Sequence, residues 1–263
     1  MIFRRVLQHV RDQNWTAIGI DLVIVVVGVF LGIQLGNWNA ARADERRATA
    51  YLVRLHDDLS DDLVMLDARK AFWEQTTAAG LDALAADLPA APTRDEAWRV
   101  VRAFHHASNT LPLSLRDGTY TDMVSSGQLG LVSDTDLRDR TTTYYTNSWG
   151  VELSSDIPAY RRAVRRVIPP DVHAHLMTCH RVEGAHRHVL DACPPPAGGA
   201  DLVALAGRLT RDDALRGDLY QALSIMRTSS KISDDVLIPA ARALRDRVAA
   251  ELDGRGAGGP SPS

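Results

Sequence analysis

The sequence predicts an all-α protein: an N-terminal transmembrane helix continues into a long stalk helix and is followed by an antiparallel helical bundle. Three observations carry this expectation. Leu22 to Ile33 is an unbroken apolar run. From about Ala43 to Leu88 there is no proline and Gly80 is the sole glycine, while Leu52, Leu55, Leu59, Leu63 and Leu66 recur in steps of three and four, as an amphipathic helix requires. No stretch shows the apolar–polar alternation of a half-buried strand.

The span comes first. A hydrocarbon core about 30 Å thick is crossed by roughly 20 helical residues. From Ala17 to Leu35 only Asp21 and Gln34 are strongly polar, and Trp15 and Trp38 stand where an aromatic belt would place them. Residues 15–38 are therefore read as the transmembrane helix, and residues 1–14, with Arg4, Arg5 and Arg11, as a basic cytoplasmic tail. Ala41 and Ala43 form the A-x-A pattern of a signal-peptide cleavage site, but Gln34, Asn37, Trp38 and Asn39 put a polar gap before it, which favours an uncleaved anchor. Gly28, Gly32 and Gly36 fall on one helical stripe and mark a helix–helix interface, because small residues let two backbones approach closely. Asp21 lies on nearly the same face and is the intramembrane polar residue of the span.

Residues 39–253 read as a helical extramembrane domain. Pro89 and Pro92 end the stalk helix. Thr93 with Glu96 forms a capping box that opens a helix carrying Trp98, Val101 and Phe104. After a loop over 111–119, a short helix ends near Ser125, Ser126 and Gly127, and Leu129 and Leu131 follow as core contacts. Ser133, ahead of Asp134 and Asp136, starts the next helix, which extends through Tyr144, Tyr145 and Trp149, with a break at Pro158. It resumes to Ile168, and Pro169 and Pro170 close it. An irregular Cys/His loop occupies about 171–200. Thr210 opens a final pair of helices with Pro239 just inside the second, and residues 254–263 form a disordered tail.

Three stretches in this order resemble a family of uncharacterised bacterial single-pass membrane proteins, a domain of unknown function. They are the span running into GIQLGNWNAARADERR, then YLVRLHDDLSDDL, then YTDMVSSGQLGLVSDTDLRDRTTTYY. The resemblance covers about residues 17–149 and rests on an NWN junction and a downstream SSGxLxLxxDxxLR…YY pattern. It implies one N-terminal membrane helix and a location in the bacterial inner membrane. It brings no activity and no catalytic residues.

The chemistry-bearing residues concentrate in one place. His173, His175, His180, His186 and His188, with Cys179 and Cys193, fall within residues 173–193. A lone pair of cysteines fourteen positions apart suits a disulfide in an oxidising compartment, which places the C-terminal domain in the periplasm and the N-terminus in the cytoplasm. The five histidines are candidate metal ligands, although their spacing matches no standard structural zinc pattern. His56, Asp57, Asp58, Asp61 and Asp62 read as a solvated helix face opposite the leucines, and Arg161, Arg162, Arg165 and Arg166 as another. His105 and His106 read as structural. No nucleophile elbow, phosphate loop, H-E-x-x-H or dinucleotide fingerprint is present, so no catalytic residue and no cofactor is expected.

With 30 basic against 33 acidic residues and a net charge of −3, the chain is not expected to bind nucleic acid. Its expected partners are the lipid bilayer, a second copy of itself through the transmembrane helix, and an unknown protein. The expected function is therefore that of a non-enzymatic, membrane-anchored interaction or scaffold protein. Two further readings stay open: a subunit of a proton- or ion-coupled membrane complex using Asp21, and a metal-handling envelope protein using the 173–193 cluster.

Overall fold

The computed structural model describes residues 15–111, 114–146, 158–198 and 201–257, with side chains from residue 20 onward apart from those of 21, 158, 256 and 257. The contacts divide the chain into two compact units, Met1–Ala50 and Tyr51–Ser263. Helix α1 runs Trp15–Leu84. In the first unit its large apolar side chains from Ile20 to Leu35, and Trp38 after them, are exposed. The helix is long and apolar enough to cross a membrane. Arg42 lies over the Trp38 ring, 4.0 Å from its centroid.

The second unit is built from the leucine stripe of α1 and the helices that cover it. Its elements are α2 (Arg94–Ala107), α3 (Gly118–Ser125), α4 (Thr135–Thr146), α5 (Pro158–Val167), α6 (Pro170–Met177), the strands β1 (His180–Glu183) and β2 (Arg187–Leu190), α7 (Leu202–Arg211), α8 (Asp213–Ile232) and α9 (Ile238–Ala257). Fold class is as expected, mainly all-α. Two hydrophobic clusters hold the unit together. One joins Leu52, Leu55, Leu59 and Leu66 of α1 to Leu137, Tyr144, Leu244 and Val248. The other joins Trp98, Val101 and Phe104 of α2 to Tyr160, Val164, Leu176, Leu205, Leu209 and Leu219.

The second half of α1 runs antiparallel to α8. Arg216 Nη2 donates to the Leu84 carbonyl at 3.1 Å, Gly80 abuts Leu219 and Leu223, and Lys70 pairs with Asp234 at 2.9 Å. A β-carbon built on Gly80 would lie 2.6 Å from Leu223 Cδ2, so the glycine sets how closely these helices approach.

Local signals explain most helix ends. The Thr93–Glu96 capping box forms in both directions. α3 ends in a Schellman motif: Gly127 takes φ 69°, its N–H donates to Val124, and the Gln128 N–H donates to Met123. Four placements differ from expectation, and the fresh helix start at Pro158 agrees with it. The cap of α4 is Asp134, whose Oδ1 accepts from the Leu137 N–H at 3.2 Å, rather than Ser133. Val132 is buried in the core and half-buried Leu129 packs against it as expected, while Leu131, also half-buried, is not part of that cluster. Pro158 begins α5, a position where its missing N–H costs nothing. Thr210 lies inside α7, its hydroxyl bonded back to Ala206; Asp201 and Asp212 are the true N-caps, of α7 and α8. Last, α9 continues to Ala257, into the segment expected as a tail.

Between α8 and α9 the helix widens into a π-helical segment, Ser233–Leu237, with the Ile238 N–H bonded to Ser233. Pro239 follows immediately. Its ring would collide with the carbonyl four residues back in a regular α-helix, and the wider turn relieves that clash. Trp149 and the basic tail lie outside the described residues.

Candidate functional site

The segment expected to be irregular, 171–200, is largely ordered. Pro169 and Pro170 close α5 and also open α6. β1 and β2 then form an antiparallel hairpin with His180 opposite Leu190 and Glu183 opposite Arg187. Gly184 supplies the left-handed turn at φ 64°. Four-residue strands of mixed character gave no alternation long enough to read. Cys179 and Cys193 are disulfide-bonded with Cα atoms 5.3 Å apart, at the open end of this hairpin. The Asp191 N–H donates to the Cys179 carbonyl at 2.7 Å beside it.

Side chains from α1 and α2 hold the loop in place. Gln75 bonds the β2 backbone twice, donating to His188 at 3.0 Å and accepting from Leu190 at 2.8 Å. Trp98 Nε1 and Arg102 Nη1 both donate to the Cys193 carbonyl, at 2.8 and 3.1 Å. Arg94 donates to Pro196.

The candidate metal ligands divide among separate settings. His173 lies edge-on to His105, ring centroids 5.2 Å apart. His175 bonds the Pro194 carbonyl at 2.8 Å and lies against Trp98. His180 Nε2 and His188 Nδ1 are 2.9 Å apart, both rings against Phe72. His186 lies in the hairpin turn. His175, Cys179 and Cys193 bring ligand atoms within 4.8 Å of one another, but the disulfide consumes both sulfurs. Gly28, Gly32 and Gly36 have nothing within 4 Å of where a β-carbon would stand. The side chain of Asp21 lies outside the described residues.

Of two buried polar centres, one overturns the expectation from sequence and the other, expected to be structural, is buried. The first corrects the solvated acidic face. Asp62 is fully buried; it accepts from the Arg116 N–H at 2.7 Å and from the Tyr144 hydroxyl at 3.0 Å. Asp58, one turn earlier, accepts from the Thr119 N–H at the start of α3 at 3.2 Å. Burial pushes Asp62 up to about 6, against the pull of these two hydrogen bonds. The signal was present, since position 62 falls on the leucine stripe.

The second centre is His105 with His106, both buried on α2. Burial lowers His105 to about 3, reinforced by the charges of Arg165, His106, His173 and Arg161. Burial likewise lowers His106 to about 4, and its Nε2 lies 3.3 Å from the Asp191 carbonyl. The signal here was helical spacing, because His105 follows Trp98 and Val101 on the buried face. Arg161 and Arg165, expected on a solvated face, are half-buried beside these histidines, whereas Arg162 and Arg166 are exposed. This arrangement holds neutral imidazoles next to fixed cations, a setting for binding anions rather than for general-base chemistry.

A family model described as "Family of unknown function (DUF6090)" matches residues 21–153. No curated protein and no solved structure matches the chain. The matched stretch nearly coincides with the one that carries the motif resemblance. It includes the glycine stripe, Asp62, His105 and Tyr144, and it stops short of Arg161, Arg165 and the disulfide hairpin.

Proposed function

We propose that this protein, which belongs to that family of unknown function, is a single-pass membrane-anchored interaction protein that self-associates through its first helix. On this reading it presents a disulfide-stapled helical domain in the oxidising compartment of the bacterial envelope. The observation that carries the reading is the uncovered apolar surface from Ile20 to Leu35 together with the open stripe of Gly28, Gly32 and Gly36. Water does not tolerate an apolar surface of that extent, whereas a bilayer does, and the stripe is suited to a second helix. The Cys179–Cys193 disulfide supports a location outside the cytoplasm.

Chemical crosslinking of the full chain in its native membrane tests self-association. A dimer band that falls at least tenfold in Gly32→Leu is the expected result; monomer alone in both proteins would overturn it. Thiol labelling of intact cells and of lysates before and after reduction tests the topology. Cys179 and Cys193 should label only after reduction. Free thiols in the native protein would place the domain in the cytoplasm.

A further inference from the structure

Arg161 and Arg165 project from α5 toward the C-terminal end of α2, and neither has a carboxylate partner among the described residues. Arg161 Nη1 donates to the Ser108 carbonyl at 3.3 Å and to Thr110 Oγ1 at 3.1 Å. Arg165 Nη2 donates to Asn109 Oδ1 at 3.0 Å. That last bond uses half of each planar group. Arg165 Nε, on the same edge as Nη2, is buried without a hydrogen-bond partner, and so is Asn109 Nδ2. Asn109 is 6% exposed. Beneath them His105, 1% exposed, has neither ring nitrogen paired, and His173 of α6 closes the edge against it.

Each of these orphans is costly. A buried donor left unsatisfied costs about 1–3 kcal/mol, and a protein interior seldom tolerates several together. Those of Arg165 and Asn109 are donors only, since the guanidinium and the amide offer N–H groups here, while the neutral imidazole of His105 offers one N–H and one acceptor nitrogen. A cluster of unfilled donors flanked by two fixed cations is complementary to an anion with several acceptor oxygens. A carboxylate would be satisfied by one guanidinium edge, whereas donors converging from α5, from α2 and from Asn109 just past its end suit a tetrahedral oxyanion.

We propose that the junction of α2, α5 and α6 binds a phosphoryl group, held by Arg165 and Asn109, with Arg161 supplying charge, His173 at the rim and His105 at the floor. The group belongs either to free phosphate or a phosphomonoester, or to a phospholipid headgroup. The proposal is independent of self-association.

The full chain in phosphatidylcholine nanodiscs is titrated with inorganic phosphate by calorimetry, and a parallel arm uses nanodiscs containing phosphatidic acid with a photoreactive headgroup. Saturable phosphate binding that weakens at least tenfold in Arg165→Gln and Arg161→Gln, and is unchanged in Arg162→Gln and Arg166→Gln, assigns the site to soluble phosphate. Labelling by the lipid with the same variant pattern, without free phosphate binding, assigns it to a headgroup. Asn109→Asp guards against misfolding, because it supplies the site with the chain's own anion. It should abolish binding while melting at or above the parent temperature. On ligand addition the His173 imidazole resonances should move toward the protonated form. Absence of saturable binding in both arms, or binding indifferent to Arg161 and Arg165, overturns the proposal.

Discussion

Asp62 and His105 show how much a single position on a helix decides. Both stand on apolar stripes and are therefore carried into the core with a titratable group. The signs of their effects are opposite. Asp62 is raised to about 6 from 3.8, so between those pH values the native state binds more protons than the unfolded chain and acidification stabilises it. His105 and His106 are lowered to about 3 and about 4 from 6.5, so the native state binds fewer protons and stability falls as pH drops below about 6.5. With two histidines against one carboxylate, the protein should lose about 2–3 kcal/mol between pH 7 and pH 5, measured by urea unfolding in micelles. Asp62→Asn, which can keep both hydrogen bonds, should deepen that loss by about 1–2 kcal/mol, because the opposing contribution is gone. An unchanged slope would mean Asp62 titrates normally.

Arg69 belongs to the same scale. It is 1% exposed, none of its guanidinium nitrogens has a hydrogen-bond partner, and the Trp73 ring lies against it, at 4.6 Å. Burial lowers it to about 10. Arg69→Met should therefore raise stability, by about 1–4 kcal/mol on the precedent of buried ions replaced by apolar residues, read as a higher melting temperature. A lower melting temperature would show that the cation has a stabilising partner.

At the scale of elements, two devices fix how the pieces meet. Gly80 lets α1 and α8 approach more closely than any side chain would permit. Gly80→Val should cost about 1–3 kcal/mol through overpacking against Leu219 and Leu223. Gly80→Ala should cost less, since alanine regains about 1 kcal/mol of helix propensity. Leu223→Ala combined with Gly80→Val should be less than additive, which thermal unfolding of the double mutant measures. The disulfide is the second device, closing fourteen positions around a short hairpin. Cys179→Ser with Cys193→Ser should lower stability by about 2–4 kcal/mol. Gln75, Trp98 and Arg102 hold the same loop by its backbone, so hydrogen exchange in the hairpin should rise first, ahead of the two hydrophobic clusters.

For the whole molecule, the pattern of apolar residues specified the class. The leucine spacing of α1, the Thr93–Glu96 box and the Gly127 stop were legible because each depends on residues within one or two helical turns. The hairpin was not, since its four-residue strands draw on a disulfide and on Gln75, over a hundred residues away in sequence. Helix α7 was not legible and the start of α8 was expected at Thr210, which has the same capping chemistry as Asp212; only the packing of Leu202, Leu205 and Leu209 into the core carries α7 through Thr210.

The sequence by itself determined that one helix is apolar enough for a bilayer, that the rest is mainly helical, and that two cysteines share one loop. These follow from composition and from periodicities intrinsic to a single helix. The tertiary structure decided what the charged groups on these helices meet. It turned Asp58 and Asp62 from a wet face into acceptors of backbone N–H groups, dispersed the clustered histidines, and brought Arg161 and Arg165 of α5 to His105 of α2 and Asn109 just past its end. Sequence distance carries no information about that last meeting. It is set by how helices stack to bury their apolar stripes, and the unfilled donors left at the junction are a consequence of that packing.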